Sequence, residues 1–374
     1  KPSGVLLDEL HVIAESHDAD RVIGQLRGGM VSQPEGIMVT ITTQSERAPS
    51  GVFRAELLKA RKVRDGELKA PILPVLYEFP QSINWKDTAN WHMVTPNNGR
   101  SVSVERLVPD YEQAMAAGEE ELRRWASQHL NIEIGLALRS DRWAGAEFWE
   151  QCAGTLTLEM LISRSEVIDV GIDGGGLDDL LGLAVVGRCK ETRKWLHWGK
   201  AWAHPSVIER RRNEAKRFRD FEKDGDLVFV EHIGDDIKEV ADIIYEIEES
   251  GLLDKIGVDP HGLGGILDAL INSGVPQEKI VGISQGWKLT GAIKTLERKL
   301  AECGVIHSNQ SIMSWSVSNA KVEPRGNAVL ITKQAAGSAK IDPLMAMFNA
   351  VSLMSLNPES QGSFDDFIAA PLRI

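Results

Sequence analysis

Between residues 167 and 203 three apolar runs follow one another with barely a pause: "VIDVGID", "LGLAVVGRC" and "KWLHWGKAWA". Each has the length of a strand and is rich in Val, Ile, Leu or Trp. The connections, "GGGLDDL" and "KETR", are turn-like and too short to carry a crossover helix. The runs therefore predict an antiparallel meander. The first two have almost no polar positions, so they predict strands covered on both faces. A sheet of that kind needs a layer of helices above and below it.

The sequence downstream offers those layers. "ERRRNEAKRFRDFEK" (209–223) reads as one basic helix, then "LVFVE" (227–231) as a strand and "KEVADIIYEIEESG" as a helix. "KIGVDP", "IVGISQ" and "NAVLITK" are further short strands. They alternate with "GLGGILDALINSG", "AIKTLERKLAECG" and a last helix from Pro343 to about Leu353. A meander leading into strand–helix alternation is a mixed sheet with helices on both faces, the outline of a ribonuclease H-like fold.

The N-terminal part has a different pattern. Val5–Leu7 is a buried strand that ends in Asp8 and Glu9, and "GIMVTITTQS" (36–45) is a second strand. A helix over 50–66 follows, with Ser50 at its N-cap. Strand–helix–strand–helix implies a parallel α/β sheet. Two such strands bury too little, so the expectation is that part of this domain precedes Lys1. Residues 71–100 are rich in Pro and Trp and irregular, and 104–130 are helical. The stretch 131–164, with Trp143, Phe148 and Trp149, reads as a linker packed between domains. The expected division is 1–105, a helical and irregular interdomain segment 106–165, and 166–374.

Composition narrows the function classes. Of the 374 residues 43% are hydrophobic and 26% charged, which fits a globular chain of two or three domains. No apolar run reaches the roughly 18 residues needed to cross a bilayer, and no signal-peptide pattern opens the chain. Cys152, Cys189 and Cys303 are odd in number and form no zinc pattern, which points to a reducing, intracellular setting. The formal charge of −12 argues against coating nucleic acid by bulk electrostatics. A local groove is a separate matter: Arg211, Arg212, Lys216 and Arg219 lie at helical spacing and could hold phosphates. A solvated helix face with compensating glutamates is the alternative.

Three aspartates carry the chemistry: Asp173 at the end of the first meander strand, Asp259 in "IGVDPHG" and Asp342 in "SAKIDPLMAMF". Strand ends on one edge of a sheet can meet however far apart they are in sequence. Phosphodiester hydrolysis needs an activated water and charge neutralisation at the leaving oxygen. Two Mg²⁺ or Mn²⁺ ions about 3.5–4 Å apart supply both and take carboxylate oxygen. Helix capping is the alternative for Asp259 and Asp342, each followed by proline and a helix. A hydrated turn carboxylate is the alternative for Asp173. Asp178 and Asp179 belong to the turn, with Asp179 a candidate supporting ligand.

The order of these motifs resembles the large terminase subunit of tailed bacteriophages, a packaging ATPase followed by a ribonuclease H-like nuclease. "GVLLDELH" is similar to that family's Walker B strand, where Asp8 would hold the Mg²⁺ of ATP and Glu9 would orient water. "MVTITTQSERAPSG" resembles the coupling motif, in which Thr42, Thr43 and Gln44 would sense the γ-phosphate state. "QHLNI" (128–132) with Trp143 and Trp149 looks like the interdomain segment. "VGIDGGGLDDLLGLAVV", "SIMSWSVSNAKVEPRGN" and "KIDPLMAMFNAV" resemble the nuclease signatures.

The resemblance implies that Asp173, Asp259 and Asp342 are the nuclease metal ligands, with Asp179 as a helper, and that Asn319 and Lys321 lie near them. Lys333 and Lys340 would contact DNA phosphates or stay solvated. The family's glycine–four residues–glycine–lysine loop is missing from the sequence, since "RGGM" and "HGLGG" lack the lysine. The chain alone is therefore expected not to turn over ATP. Implied cofactors are two Mg²⁺ or Mn²⁺ at the nuclease site and ATP with Mg²⁺ in the full-length protein. Implied partners are double-stranded DNA, the small terminase subunit, the portal protein and copies of the chain in a ring, with no membrane. The implied setting is the host bacterial cytoplasm. The competing functions are another ribonuclease H-like nuclease, of resolvase or transposase type, and a non-catalytic packaging scaffold.

Overall fold

In the computed structural model, residues 3–16, 18–46, 48–80, 83–133, 143–212, 214–232, 234–260, 264–325, 328–333 and 340–361 are described. The chain divides into two compact units, 1–140 and 141–374. In the first unit β1 (Gly4–Asp8) leads through α1 (Leu10–Ile13) and α2 (Ala19–Met30) to β2 (Ile37–Ile41), followed by α3 (Gly51–Arg64). β1 and β2 pair in parallel, with Gly4 opposite Ile37 and Asp8 opposite Ile41. Leu7, Leu10, Ile23, Val52 and Phe53 pack on one side of this pair. Leu6 is 66% and Ile37 63% exposed on these two strands. Ser50 is at the N-cap position of α3, yet its side chain makes no capping bond.

A second core of the same unit forms where α4 (Val104–Ala117) and α5 (Glu119–Leu130) close around Trp91, Tyr111 and Trp125. Here a cap is made: the Ser103 side chain accepts from the Arg106 amide at the start of α4.

The second unit opens with α6 (Leu158–Arg164), then the meander β3 (Ser165–Gly174), β4 (Leu181–Cys189) and β5 (Trp195–Ala203). Next come α7 (Ser206–Arg210), α8 (Ala215–Lys223), β6 (Leu227–Phe229), α9 (Asp235–Glu249), β7 (Leu253–Val258) and α10 (Gly264–Asn272). β8 (Ile280–Gly282), α11 (Thr290–Ala301), β9 (Val305–His307) and α12 (Ser311–Asn319) follow. A hairpin, β10 (Ala320–Arg325) and β11 (Ala328–Lys333), precedes α13 (Asp342–Met354). The sheet has seven strands in the order β6-β5-β4-β3-β7-β8, with β9 also on β5. The β3–β4 and β4–β5 pairs are antiparallel; β7, β8, β6 and β9 join in parallel. This is the mixed sheet expected from the sequence.

Strand alternation sends the two faces to different helices. Ile168, Val170 and Ile172 of β3 and Leu181, Leu183 and Val185 of β4 join a core with Val240, Ile244 and Ile247 of α9. The opposite face carries Gly171 and Gly182, and α13 lies almost on their backbone. A Cβ on Gly171 would stand 2.0 Å from the Ala346 carbonyl oxygen, and one on Gly182 would stand 2.9 Å from that of Asp342. Glycine is what lets α13 sit this low.

Three sequence expectations need correction. The basic stretch 209–223 is two short helices, because Arg211 leaves the helical conformation at φ −122°, ψ 55°. β9, α12 and β10 were not foreseen. Trp143 and Trp149 are fully buried inside the second unit: Trp143 meets Phe348 edge-on at 5.3 Å, and Trp149 stacks on His307 at 3.9 Å.

Candidate active site

β3 and β7 run in parallel with Ile172 opposite Val258, so the next residues, Asp173 and Asp259, leave the sheet side by side at adjacent strand ends. Both alternate with residues of the α9-side core, so both belong to the α13 face. Asp342 is the first residue of α13, and its Cβ lies 3.2 Å from where a Cβ on Gly174 would stand. Gly182, which underlies Asp342, is the antiparallel partner of Asp173. The fold thus brings the three acids, up to 169 residues apart in sequence numbers, to one edge of one face.

Capping does not account for Asp342: Ile341 is the N-cap, and no side-chain cap bond is made. The chain reaches Asp173 through the buried run 167–172, then turns through Gly174, Gly175 and Gly176 at φ 88°, 104° and 153°. A Cβ on Gly174 would stand 2.0 Å from the Leu180 carbonyl oxygen, so this turn requires glycine.

Asp179 and Lys340 form a second tier. Lys340 is 2% exposed, and its ammonium pairs with the Asp179 carboxylate and donates to the Asp178 carbonyl at 3.1 Å. Asp179 Oδ1 also accepts from the Leu180 amide at 3.0 Å. Asn319 donates from Nδ2 to the Lys340 carbonyl at 3.0 Å. The chain entering α13 is therefore tied to the β3–β4 turn through Lys340, and this sets where Asp342 emerges. Lys340 is not the surface cation the sequence suggested, because its charge is buried against Asp179.

Among the other candidate cations, Arg211 Nε donates to the Asp178 carbonyl at 3.3 Å, Arg212 is exposed and Lys216 half-buried at the start of α8. Lys333 ends β11 and Lys321 lies in β10, half-buried; the Lys333 side chain lies outside the described residues. Two salt bridges, Arg217–Glu214 and Arg219–Glu222, show how far glutamate offsets the charge here.

Among the described residues, no group of three or more His, Cys, Asp or Glu is close enough to hold a metal ion in this conformation. The donor set is nonetheless the all-oxygen type that hard divalent cations take. One further acid escaped the sequence reading. Asp169, four residues before Asp173 in β3, is fully buried and accepts from the Lys255 amide at 3.2 Å. Burial first, then the neighbouring charge of Asp254, pushes its pKa up to about 8. It lies too far down the strand to join the edge.

In the first unit, the β1–β2 register brings Asp8 and Ile41 together, so Glu9 and Thr42 follow at neighbouring strand ends. His11, which the sequence did not flag, links them: its Nδ1 lies 2.9 Å from Thr42 Oγ1 and 3.2 Å from Glu9 Oε2. Thr42 Oγ1 donates to the Thr43 carbonyl at 2.9 Å and Thr43 Oγ1 to that of Gln44 at 3.4 Å, while the Gln44 side chain is buried.

A family model described as "Terminase large subunit, endonuclease domain" matches residues 74–357. The terminase large subunit of Lactococcus phage p2 is 25% identical over 289 residues, 75% of this chain and 51% of that protein. The chain thus spans about half the length of that curated relative. Solved structures show weaker likeness. The HK97 bacteriophage large terminase is 18% identical with a TM-score of 0.49, covering 94% of this chain and 70% of that one. The nuclease domain of the bacteriophage SPP1 large terminase, solved with bound Mn, is 15% identical with a TM-score of 0.32, covering 54% and 95%. With the family match extending over most of its length, the chain belongs to the terminase large subunit endonuclease-domain family.

Proposed function

We propose that the second unit is a metal-dependent endonuclease that cuts concatemeric phage DNA, and that in the full-length protein it works with ATP-driven packaging of DNA into the prohead. The observation that carries this is the side-by-side exit of Asp173 and Asp259 from parallel strands, with Asp342 on the glycine pair beneath them. Asp173, Asp259 and Asp342 would hold the two Mg²⁺ or Mn²⁺ ions, which when bound supply an activated water and neutralise charge at the leaving oxygen. The protein's own part is to fix the three carboxylates: β3 and β7 hold two by register, and α13 delivers the third. Asp179 acts through Lys340 by positioning that delivery. Arg211, Arg212 and Lys216 are proposed to meet DNA phosphates beside the edge, with Lys333 on the hairpin.

Asp8, Glu9, Thr42, Thr43 and Gln44 are proposed as the Walker B and coupling residues of the packaging ATPase, with ATP and Mg²⁺ bound in the full-length protein. His11 transmits between Glu9 and Thr42. Double-stranded DNA, a small terminase subunit, a portal protein and a ring of copies are the proposed partners.

Nicking of supercoiled plasmid with Mn²⁺, together with calorimetric Mn²⁺ titration, tests the nuclease. Asp173→Asn should lower cutting on the order of 10³-fold and weaken Mn²⁺ binding. Full cutting by that variant would rule out the proposed site, and no cutting or Mn²⁺ binding by the unaltered chain would favour a scaffold.

A further inference from the structure

A cleft of about 200 Å³ opens beside the Gly174–Gly176 turn, on the face of the sheet that packs α9 rather than α13. Its floor is apolar: Leu181, Val230 and Ile266 are buried, and Ile237 half-buried. Two polar side chains stand at its rim, His204 just beyond β5 and Asp236 in the first turn of α9. His204 Nδ1 lies 2.8 Å from Ser206 Oγ, which donates to the Leu177 carbonyl at 2.5 Å. This relay fixes the imidazole against the glycine turn and leaves Nε2 available to a ligand. The Asp236 carboxylate has no ionic or hydrogen-bonded partner among the described residues.

These features select a ligand class. A carboxylate with no counter-charge among the described residues repels phosphate and favours a group with N–H donors. The apolar floor favours a planar ring, and the volume admits one heterocycle but not a base pair. Enzymes that draw a base out of the duplex read it in just this manner, with apolar contact on the ring and hydrogen bonds along its pairing edge. Guanine offers N1–H and its 2-amino group to a single carboxylate, whereas thymine offers one N–H. Resting on the nuclease assignment above, we propose that this cleft takes one unpaired nucleobase, guanine preferred, from the DNA strand lying across the acid edge. The three glycines form a rim without side chains, over which the sugar–phosphate backbone passes from the acids to the cleft. A base preference at a fixed distance from the cut follows.

The test uses the full chain carrying Asp173→Ala, which removes cutting, and duplexes in which 6-methylisoxanthopterin replaces successive guanines. This fluorescent guanine analogue keeps the same donor edge. A severalfold rise in emission is expected at one or two positions only. Leu177→Trp, a filling change at a residue already 41% exposed, should abolish the rise, and Asp236→Asn should reduce it with unchanged thermal melting. No rise at any position, or a rise that neither variant alters, overturns the proposal. So does an Asp236→Asn variant that loses Mn²⁺ binding while the base still enters, which would assign the carboxylate to a metal shell. Binding of free dGMP without entry of a duplex base makes the cleft a mononucleotide site and overturns the DNA occupant. The signal needs no cutting, so base entry with an unaltered chain that never cuts would sink the nuclease assignment and leave the cleft standing.

Discussion

A buried ammonium needs a counter-charge, and Lys340 finds it in Asp179, 161 residues earlier in the chain. Removing only the acid leaves the cation uncompensated. Asp179→Ala should therefore destabilise the second unit by about 3 kcal/mol, toward the lower part of the range for broken buried pairs because the Asp179 side is partly solvated. Lys340→Met in the same background should recover most of that loss in urea unfolding. Because this pair ties the chain entering α13 to the β3–β4 turn, the double variant should still bind Mn²⁺ more weakly than the parent. Unchanged Mn²⁺ affinity in a stable double variant would show that the pair does not position Asp342. Asn319→Ala removes the bond to the Lys340 carbonyl and should cost about 1 kcal/mol, with cutting falling more than stability does.

At the scale of elements, the glycine seat under α13 decides whether Asp342 reaches the edge. Gly171→Ala drives a methyl into the Ala346 carbonyl, and neither strand nor helix can yield cheaply. A loss of about 3 kcal/mol or more is expected, at or beyond the usual cost of overpacking, with cutting reduced in the fraction that folds. Gly291→Ala in α11 meets open space and should be neutral or stabilising by about 0.5–1 kcal/mol in the same melting series, which separates helix propensity from the seat.

The same elements explain what could be read from the chain alone. β3 and β4 were legible because apolar residues fill nearly every position, and the acids were legible because they interrupt such runs. β9 was not: three residues, "VIH", carry no period, and it forms only because β5 offers an open edge. β10 contains Pro324, which argues against a strand, yet the hairpin tolerates it. The break after α7 depends on Arg211 reaching the Asp178 carbonyl, and the burial of Lys340 depends on an acid far away in sequence. Local pattern holds neither fact.

Across the whole molecule, the second unit carries opposing proton linkages. His197 and His307 pair in register on β5 and β9, both buried. Burial, reinforced by His307, pulls His197 down to about 3, and burial pulls His307 down to about 4. Their unfolded pKa is about 6.5, so below that pH the unfolded chain takes up protons that the fold refuses. Stability is thus full above about 6.5 and falls as pH drops toward the folded values, by about 1.4 kcal/mol per pH unit for each histidine. Asp169 has the opposite sign. Its folded pKa of about 8 lies above the unfolded carboxylate value, so its contribution is full at low pH and is lost as pH rises toward 8. With two protons against one below about pH 6.5 and only Asp169 above it, these groups alone place the stability maximum near 6.5. Urea unfolding from pH 5 to 8 should show both limbs. His197→Phe should flatten the acid limb relative to the parent, and Asp169→Asn should flatten the alkaline one. If both variants keep the parent's pH profile, the three buried groups do not set it.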